Sequence, residues 1–164
     1  MSATRNSCFQ YATADYVMYC DDDDMFYSVC ALWYIFEAMK ENFDIFDCTF
    51  IEEVHSEDKQ YIIYSPHIRD RMGLHGKVYR RQYLIDNNVK FNEKINLHED
   101  SYFNTLAYLF TTNIYHYDEP LYLWKWRDDS TCRLHPKFYM TTYDTLVWGH
   151  DELYQELMNR NMRV

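Results

Sequence analysis

A short apolar run that ends in four consecutive aspartates constrains the fold of this chain more than any other feature. The run Tyr16 to Cys20 contains aromatic and β-branched residues and no charge, and Asp21 to Asp24 follow it directly. Such a run is typical of a strand buried on both faces inside a sheet. Four adjacent carboxylates belong in the loop at its carboxyl end, where ligands bind in α/β proteins. The feature therefore predicts a sheet with an acidic loop at its edge.

The rest of the chain alternates helical and strand patterns. We predict helices over 5–14, 25–40, 81–86, 100–110 and 137–160, and strands over 44–51, 60–64, 113–117 and 121–126. In the second helix, the apolar positions 25, 29, 32, 36 and 39 form the expected buried face, and Asp24 is the expected N-cap. Without an internal repeat or a linker, residues 1–164 are expected to form a single domain. Alternating elements favour an α/β fold, a mixed sheet flanked by helices.

Charge and composition argue against several classes of protein. The 26 acidic and 16 basic side chains give a net charge of −10 and leave no clustered basic face for nucleic acid. No run reaches the roughly eighteen apolar residues of a membrane span, and the first residues lack a signal-peptide pattern. The five cysteines have no C-x-x-C spacing, and three of them lie in apolar segments, which favours reduced core thiols over disulfides or zinc ligands. We expect a cytoplasmic protein.

The aspartate run offers hard oxygen ligands for a cation. If strand geometry continues past Cys20, alternate side chains share one side, so Asp21 and Asp23 would project together. Carboxylates in such a loop hold Mg²⁺ or Mn²⁺ and leave coordination positions for water and substrate phosphates. The alternative is a solvated acidic turn. An EF-hand is excluded, because Phe26 and Leu32 occupy the positions where that loop needs Gly and Glu.

A second acidic motif precedes the helix over 100–110. It consists of His98, Glu99 and Asp100. Asp100 alone could serve as an N-cap. The positive end of the helix would also keep this carboxylate ionised, as a general base for a hydroxyl requires. Both interpretations stay open at this point.

Several further motifs stand in a fixed order around these two. They are Thr4-Arg5-Asn6 before the apolar run, Gly76 to Arg81, Phe91-Asn92-Glu93, the segment His98 to Phe103, Asp118 to Tyr122, and Trp126-Arg127 with Ser130. Together, over about 4–132, the order resembles the central segment of family 2 glycosyltransferases. Each motif is weak alone, and their joint order is specific.

The resemblance implies a truncated GT-A-like fold, that of nucleotide-diphospho-sugar transferases, and inverting transfer of a sugar from a nucleotide-sugar donor to an acceptor hydroxyl. Asp100 would be the catalytic base and Glu99 its neighbour. Asp21 and Asp23 would bind Mn²⁺ or Mg²⁺ at the diphosphate. Arg5, Asn6, Asp21 and Asp22 would contact the donor.

The acceptor side is implied more loosely. Arg127 matches a position where some members of the family place an acceptor-site residue. Trp124 and Trp126, with Tyr122, could stack on sugar rings, and the alternative for these aromatic residues is a core strand. The acceptor would be a carbohydrate or another hydroxyl compound.

The chain departs from the family pattern at its start. The family has a strand-helix-strand unit that binds the nucleotide base ahead of the segment matched by Arg5 and Asn6, and this chain begins at that segment. The Tyr16 to Cys20 strand would then lack a neighbour. We expect a second copy of the chain or a companion chain to cover this edge, unless the helix after Lys137 does.

Three functional hypotheses remain. The chain is an enzyme, compact or one half of a split transferase that needs a partner. Alternatively it is a non-catalytic carbohydrate- or metal-binding remnant, or an α/β interaction module. A module explains the composition but not the order of the motifs. The presence of both Asp23 and Asp100 favours the enzyme, because a remnant needs only one of them.

Overall fold

A six-stranded mixed sheet with helices on both faces organises the computed structural model, which describes residues 1–56, 60–128, 130 and 142–162. The strands are β1 Tyr16–Met18, β2 Met25–Phe26, β3 Ile45–His55, β4 Ile62–His67, β5 Lys77–Arg80 and β6 Ile114–Trp124. The helices are α1 Ser2–Tyr11, α2 Ala31–Ala38, α3 Arg81–Asp86, α4 Glu99–Leu109 and α5 Tyr143–Asn159. The predicted fold class, a mixed sheet flanked by helices, is confirmed.

Strand β3 is the centre of the sheet. It pairs parallel with β6 on one side and antiparallel with β5 and then β4 on the other. Strand β1 extends the sheet beyond β5, and β2 pairs with the last residues of β6. The acidic loop between β1 and β2 therefore runs from the β5 side of the sheet to the β6 side.

Alternating side chains of the strands feed two apolar clusters. Ile45 and Tyr79 point into the cluster that α3, α4 and α5 cover. Phe46 and Val78 point into the opposite cluster, which α2 covers. This two-sided packing fixes the position of α4, whose first turn carries Glu99 and Asp100.

The first strand is shorter and less buried than predicted. It ends at Met18, its residues are half-buried, and β5 is its one strand partner among the described residues. After Met18 the chain leaves the sheet, and the Tyr19 ring packs edge-on against Phe91 and Phe103 at centroid distances of 5.1 and 5.6 Å. On its other side no strand pairs with β1 in the described part of the chain, and the expected neighbour there stays a prediction.

The second helix begins later than predicted. Met25 and Phe26 form β2 with the end of β6, so the helix starts only at Ala31. Asp24 is consequently not its N-cap. The buried face is also different, because Ala31, Ile35 and Ala38 are buried. Leu32 and Phe36, two members of the expected face, are 61% and 63% exposed.

The other elements differ mainly in their limits. Helices are confirmed at the first, third and fourth predicted segments, with α1 about three residues earlier than expected. The two strands expected around Asp118 to Pro120 are one strand, β6, whose register against β3 shifts near Thr49. Residues 137–141 of the C-terminal helix lie outside the described residues.

Cys8, Cys20 and Cys30 are exposed, against the prediction of core thiols, and Cys48 is buried. In the described ranges we find no helix that is long and apolar enough to span a membrane.

Candidate functional site

A single guanidinium joins the two acidic motifs. Arg5, on α1, donates from Nη2 to Asp21 Oδ1 at 2.9 Å. Its Nη1 donates to Asp100 Oδ1 at 2.6 Å and to Glu99 Oε1 at 3.1 Å. The Arg5 side chain is only 10% exposed. Three segments that are distant in sequence therefore converge on the buried guanidinium of Arg5.

The carboxyl group of Asp100 lies in the first turn of α4. The helix begins at Glu99, after His98 in a left-handed conformation with φ 64°, so Asp100 is not the N-cap. Burial raises the pKa of Asp100 to about 7, against the opposing effect of Arg5, and the negative charges of Glu99 and Asp21 raise it further. This direction is opposite to the one expected from the positive end of the helix alone. A pKa near neutrality suits a group that accepts a proton and later releases it.

The acidic loop forms a tight turn instead of continuing the strand. The backbone N–H of Asp24 donates to the carbonyl of Asp21 at 3.1 Å. The turn places Asp21 and Asp24, rather than Asp21 and Asp23, next to each other. The carboxylate of Asp23 instead forms an ion pair with Arg127 at 3.1 Å. The prediction of alternating side chains assumed a strand to Cys20, but the strand ends at Met18.

Asp21, Asp24 and His75 form the candidate cation site. One ligand atom from each lies within 4.8 Å of the others. Tyr122 Oη donates to Asp24 Oδ2 at 2.7 Å, and the backbone N–H of Lys125 donates to its Oδ1 at 3.1 Å. Burial raises the pKa of Asp24 to about 6, although both hydrogen bonds lower it. A buried carboxylate with a raised pKa gains from a nearby positive charge.

His75 is placed by the tight connection that leads into β5. Gly76 has φ +68°, and a Cβ there would lie 2.6 Å from Cys48 Sγ, so glycine is required. The imidazole stacks on Trp124 with a centroid distance of 4.7 Å. Sequence reasoning missed His75, whose one signal was its position directly before the Gly76-Lys77 motif. It also missed Asp24 as a candidate ligand, because that residue was interpreted as a helix cap.

The predicted acceptor residues extend from the cation site. Trp124 contacts His75. Trp126 stacks on His55 at 4.7 Å and donates from its indole N–H to Asp128 at 3.0 Å. Of the three residues, Arg127 contacts the acidic loop through Asp23 and Trp124 contacts the candidate cation site through His75.

Two predicted donor residues, Asn6 and Asp22, belong neither to the Arg5 cluster nor to the candidate cation site. The Asn6 side chain donates to the Phe91 carbonyl at 2.9 Å and accepts from the Phe91 N–H at 3.1 Å, which fixes the loop before α4. Asp22 is exposed in the turn of the acidic loop. A donor-binding role for Asn6 and Asp22 stays a prediction.

We expect Arg5→Gln to destabilise the fold by about 3 kcal/mol, because removing one partner from a buried ion pair leaves uncompensated charge. The pKa of Asp100 should rise well above 7, since Arg5 is the group that lowers it. Chemical denaturation and NMR titration of the carboxyl carbons measure both effects. The loss of stability should shrink at pH 5, where Asp100 is protonated. Arg80→Gln, which removes the partner of Asp44, is the control and should leave the pKa of Asp100 unchanged.

No protein-family model and no curated protein matches this sequence. Solved structures do match in fold. TarS residues 1–349 from S. aureus in complex with UDP-GlcNAc superposes with a TM-score of 0.64 at 19% identity, covering 90% of this chain and 46% of that one. The same fragment with UDP gives 0.58 at 18% identity, covering 77% and 40%. A further TarS structure gives 0.58 at 18%, covering 89% and 26%. The chain thus spans less than half the length of these structures, and its fold is glycosyltransferase-like.

Proposed function

We propose that this chain is a metal-dependent, inverting glycosyltransferase that moves a sugar from a nucleotide-sugar donor to an acceptor hydroxyl. The observation that carries the proposal is the Arg5 guanidinium, which connects the acidic loop through Asp21 to the first turn of α4 through Asp100. A candidate base and a candidate cation site thereby lie on either side of one residue. The glycosyltransferase-like fold supports the same interpretation.

The cation site of the proposal is Asp21, Asp24 and His75. Two carboxylates suit Mg²⁺ or Mn²⁺, and the imidazole shifts the preference towards the transition metal, Mn²⁺. A divalent cation supplies positive charge for the diphosphate that leaves with the nucleotide. The sequence assigned Asp23 to this site. The ion pair between Asp23 and Arg127 instead favours a role for Asp23 in holding the edge of the acidic loop.

The base of the proposal is Asp100. In an inverting transfer the acceptor oxygen forms a bond to the anomeric carbon of the sugar while the bond from that carbon to the diphosphate oxygen breaks. Asp100 takes the proton of the acceptor hydroxyl, and the electron pair of the broken bond stays on the diphosphate. Glu99, which is 8% exposed and bound to the same guanidinium, holds Arg5 in place.

The donor and acceptor follow from the surroundings of the site. TarS, whose structures contain UDP and UDP-GlcNAc, indicates that uridine nucleotides are the first donors to try. Trp124, Trp126 and Arg127 would bind the acceptor, with the rings against a sugar face. A second copy or companion chain along the open edge of β1 stays part of the proposal.

The direct test is release of UDP from UDP-GlcNAc by the whole chain with Mn²⁺ and a panel of carbohydrate acceptors. Release that depends on both the metal and an acceptor supports the enzyme. Binding of UDP and Mn²⁺ without transfer to any acceptor or from any other nucleotide sugar favours the non-catalytic remnant. The absence of both binding and release would contradict the proposal.

A further inference from the structure

Strand β4 and the residue before it present apolar side chains on both faces of the sheet. Tyr61, Ile62, Ile63 and Tyr64 are 61%, 47%, 46% and 54% exposed. Successive residues of a strand point to opposite faces, so one face of an ordinary surface strand is buried or polar. In the segment Tyr61–Tyr64, neither face is buried or polar. Tyr61–Tyr64 lie between Gln60 and Ser65, and this whole segment carries no charge.

The backbone of β4 is also open along its outer edge. On its inner side β4 pairs with β3, and within the described residues no other strand pairs with it. The Tyr61 carbonyl accepts a hydrogen bond from the Ser56 N–H at 3.0 Å, so Tyr61 directs its backbone towards the β3 side. Because antiparallel ladders alternate, Ile62 and Tyr64 direct their N–H and C=O groups outward. Pro66 is the next residue whose backbone faces outward, and it has no N–H that could donate a hydrogen bond.

An edge of this kind needs a partner. Natural sheets protect such edges with charged residues, a bulge or a covering element. The outward-facing residues of β4 end at Pro66, but within the described residues no charge, bulge or covering strand protects the four residues before Ser65. Uncharged segments of β-branched and aromatic residues have the highest tendency to pair with another strand.

We propose that β4 pairs antiparallel with β4 of a second copy of this chain, around a two-fold axis that passes beside Ile63. Only outward-facing residues can exchange hydrogen bonds, so Ile62 must lie opposite an outward-facing residue of the other copy. Placing it opposite Tyr64 of the second copy forms two hydrogen-bonded pairs related by the axis. Ile63 then lies opposite Ile63 of the second copy.

The side chains match this register on both faces. On one face each Ile62 lies opposite a Tyr64, an aromatic and β-branched pair of the favourable kind. On the other face the two Ile63 side chains meet, in the closer, non-hydrogen-bonded type of pair. Pro66 falls opposite Gln60 of the second copy, where its missing N–H ends the ladder.

A second copy fits the surface better than an unrelated peptide. A two-fold interface must be self-complementary, and this register pairs the same uncharged residues with each other. The rest of the molecule opposes association, because each copy carries a net charge of −10. Salt screens this repulsion and leaves the apolar contact intact, so the dimer should strengthen as salt increases.

Sedimentation velocity of the whole chain at micromolar concentrations tests the proposal. We expect a dimer that depends on concentration and strengthens with salt. Ile63→Lys should give a monomer, because two ammonium groups would face each other at the axis. Ile85→Lys is the matched control, since Ile85 is 42% exposed on α3, which follows β5, and β5 pairs with the opposite end of β3 from β4. This variant should behave as the parent chain does.

A cysteine pair locates the contact independently of how Ile63→Lys folds. Ile63→Cys should form a symmetric intermolecular disulfide under mild oxidation, identified by peptide mapping, since the two Cα atoms would lie about 4.5 Å apart. Tyr61→Cys should not, because its copy would lie about 14 Å away. A monomer under all conditions would overturn the proposal. So would a dimer that Ile63→Lys leaves intact, or equal cross-linking at both positions, because association would then use another surface such as the edge of β1.

Discussion

We expect Asp100→Asn to lower the rate of sugar transfer by about 10² to 10⁴, the usual contribution of a general base. Asparagine preserves the size of the side chain and one oxygen that can accept from Arg5, so the site should keep its shape. It cannot take the acceptor proton. Steady-state transfer from UDP-GlcNAc, with binding of UDP measured in parallel, checks the expectation. Binding should persist while transfer falls.

The control for this variant is Asp144→Asn. Asp144 is the second residue of α5, as Asp100 is of α4, and both carboxylates lie in a first helical turn. A loss of helix stabilisation alone would therefore affect the two variants alike. If Asp100→Asn transfers sugar at the parental rate, the base is another group and the proposed mechanism is wrong.

The pKa of Asp100 adds a pH dependence with a definite sign. The carboxyl group must be ionised to accept a proton, so kcat/KM should rise with pH through about 7 in the free enzyme. Burial disfavours the ionised form in the folded state only. The contribution of Asp100 to stability is therefore fully present below its unfolded pKa of 3.8 and is lost as the pH rises through about 7. Asp100→Asn should remove both dependences.

The sequence predicted which segments meet and four of the side chains that come together there, but not the members of the candidate cation site. Arg5, Asp21, Glu99 and Asp100 were all chosen as site residues, and they do converge. The order of motifs was sufficient for this, because it specified the fold, and the fold brings the ends of these segments together. The neighbours of Asp21 in the candidate cation site depend on finer geometry, a turn with a hydrogen bond between residues three apart. A run of four identical residues contains no signal for where its strand ends.

Neither the role of His75 nor the buried face of α2 could be predicted from the sequence, and the reasons are related. His75 belongs to the site because its ring stacks on Trp124 across the sheet, a contact between residues distant in sequence. Apart from Glu37, every residue of helix α2 is apolar or aromatic, so its spacing does not distinguish the face that packs on the sheet from the exposed face. In both cases the outcome depends on tertiary packing, which local periodicity does not describe.

The second large effect concerns the cation site. We expect Mn²⁺ and UDP to bind the chain together and each only weakly alone. The candidate ligands Asp21, Asp24 and His75 leave several coordination positions for water or phosphate oxygens, and the diphosphate would complete the shell. Calorimetric titration of UDP with and without Mn²⁺ should show at least a tenfold difference in affinity, a coupling of about 1.4 kcal/mol. Equal affinity in both titrations would contradict the assignment.

Asp24→Asn should abolish that coupling and leave the fold intact, because the amide oxygen can still accept from the Lys125 N–H while the amide NH2 donates to Tyr122 Oη, which can accept as well as donate. Asp23→Asn is the decisive comparison, since the two residues are adjacent and equally acidic in sequence. If the structure identifies the ligands, Asp23→Asn keeps most of the coupling and loses only the ion pair with Arg127. If Asp23→Asn abolishes the coupling and Asp24→Asn does not, the alternating arrangement expected from the sequence is the correct one. Retention of full coupling in both variants, and in His75→Gln, would place the metal on groups outside this loop.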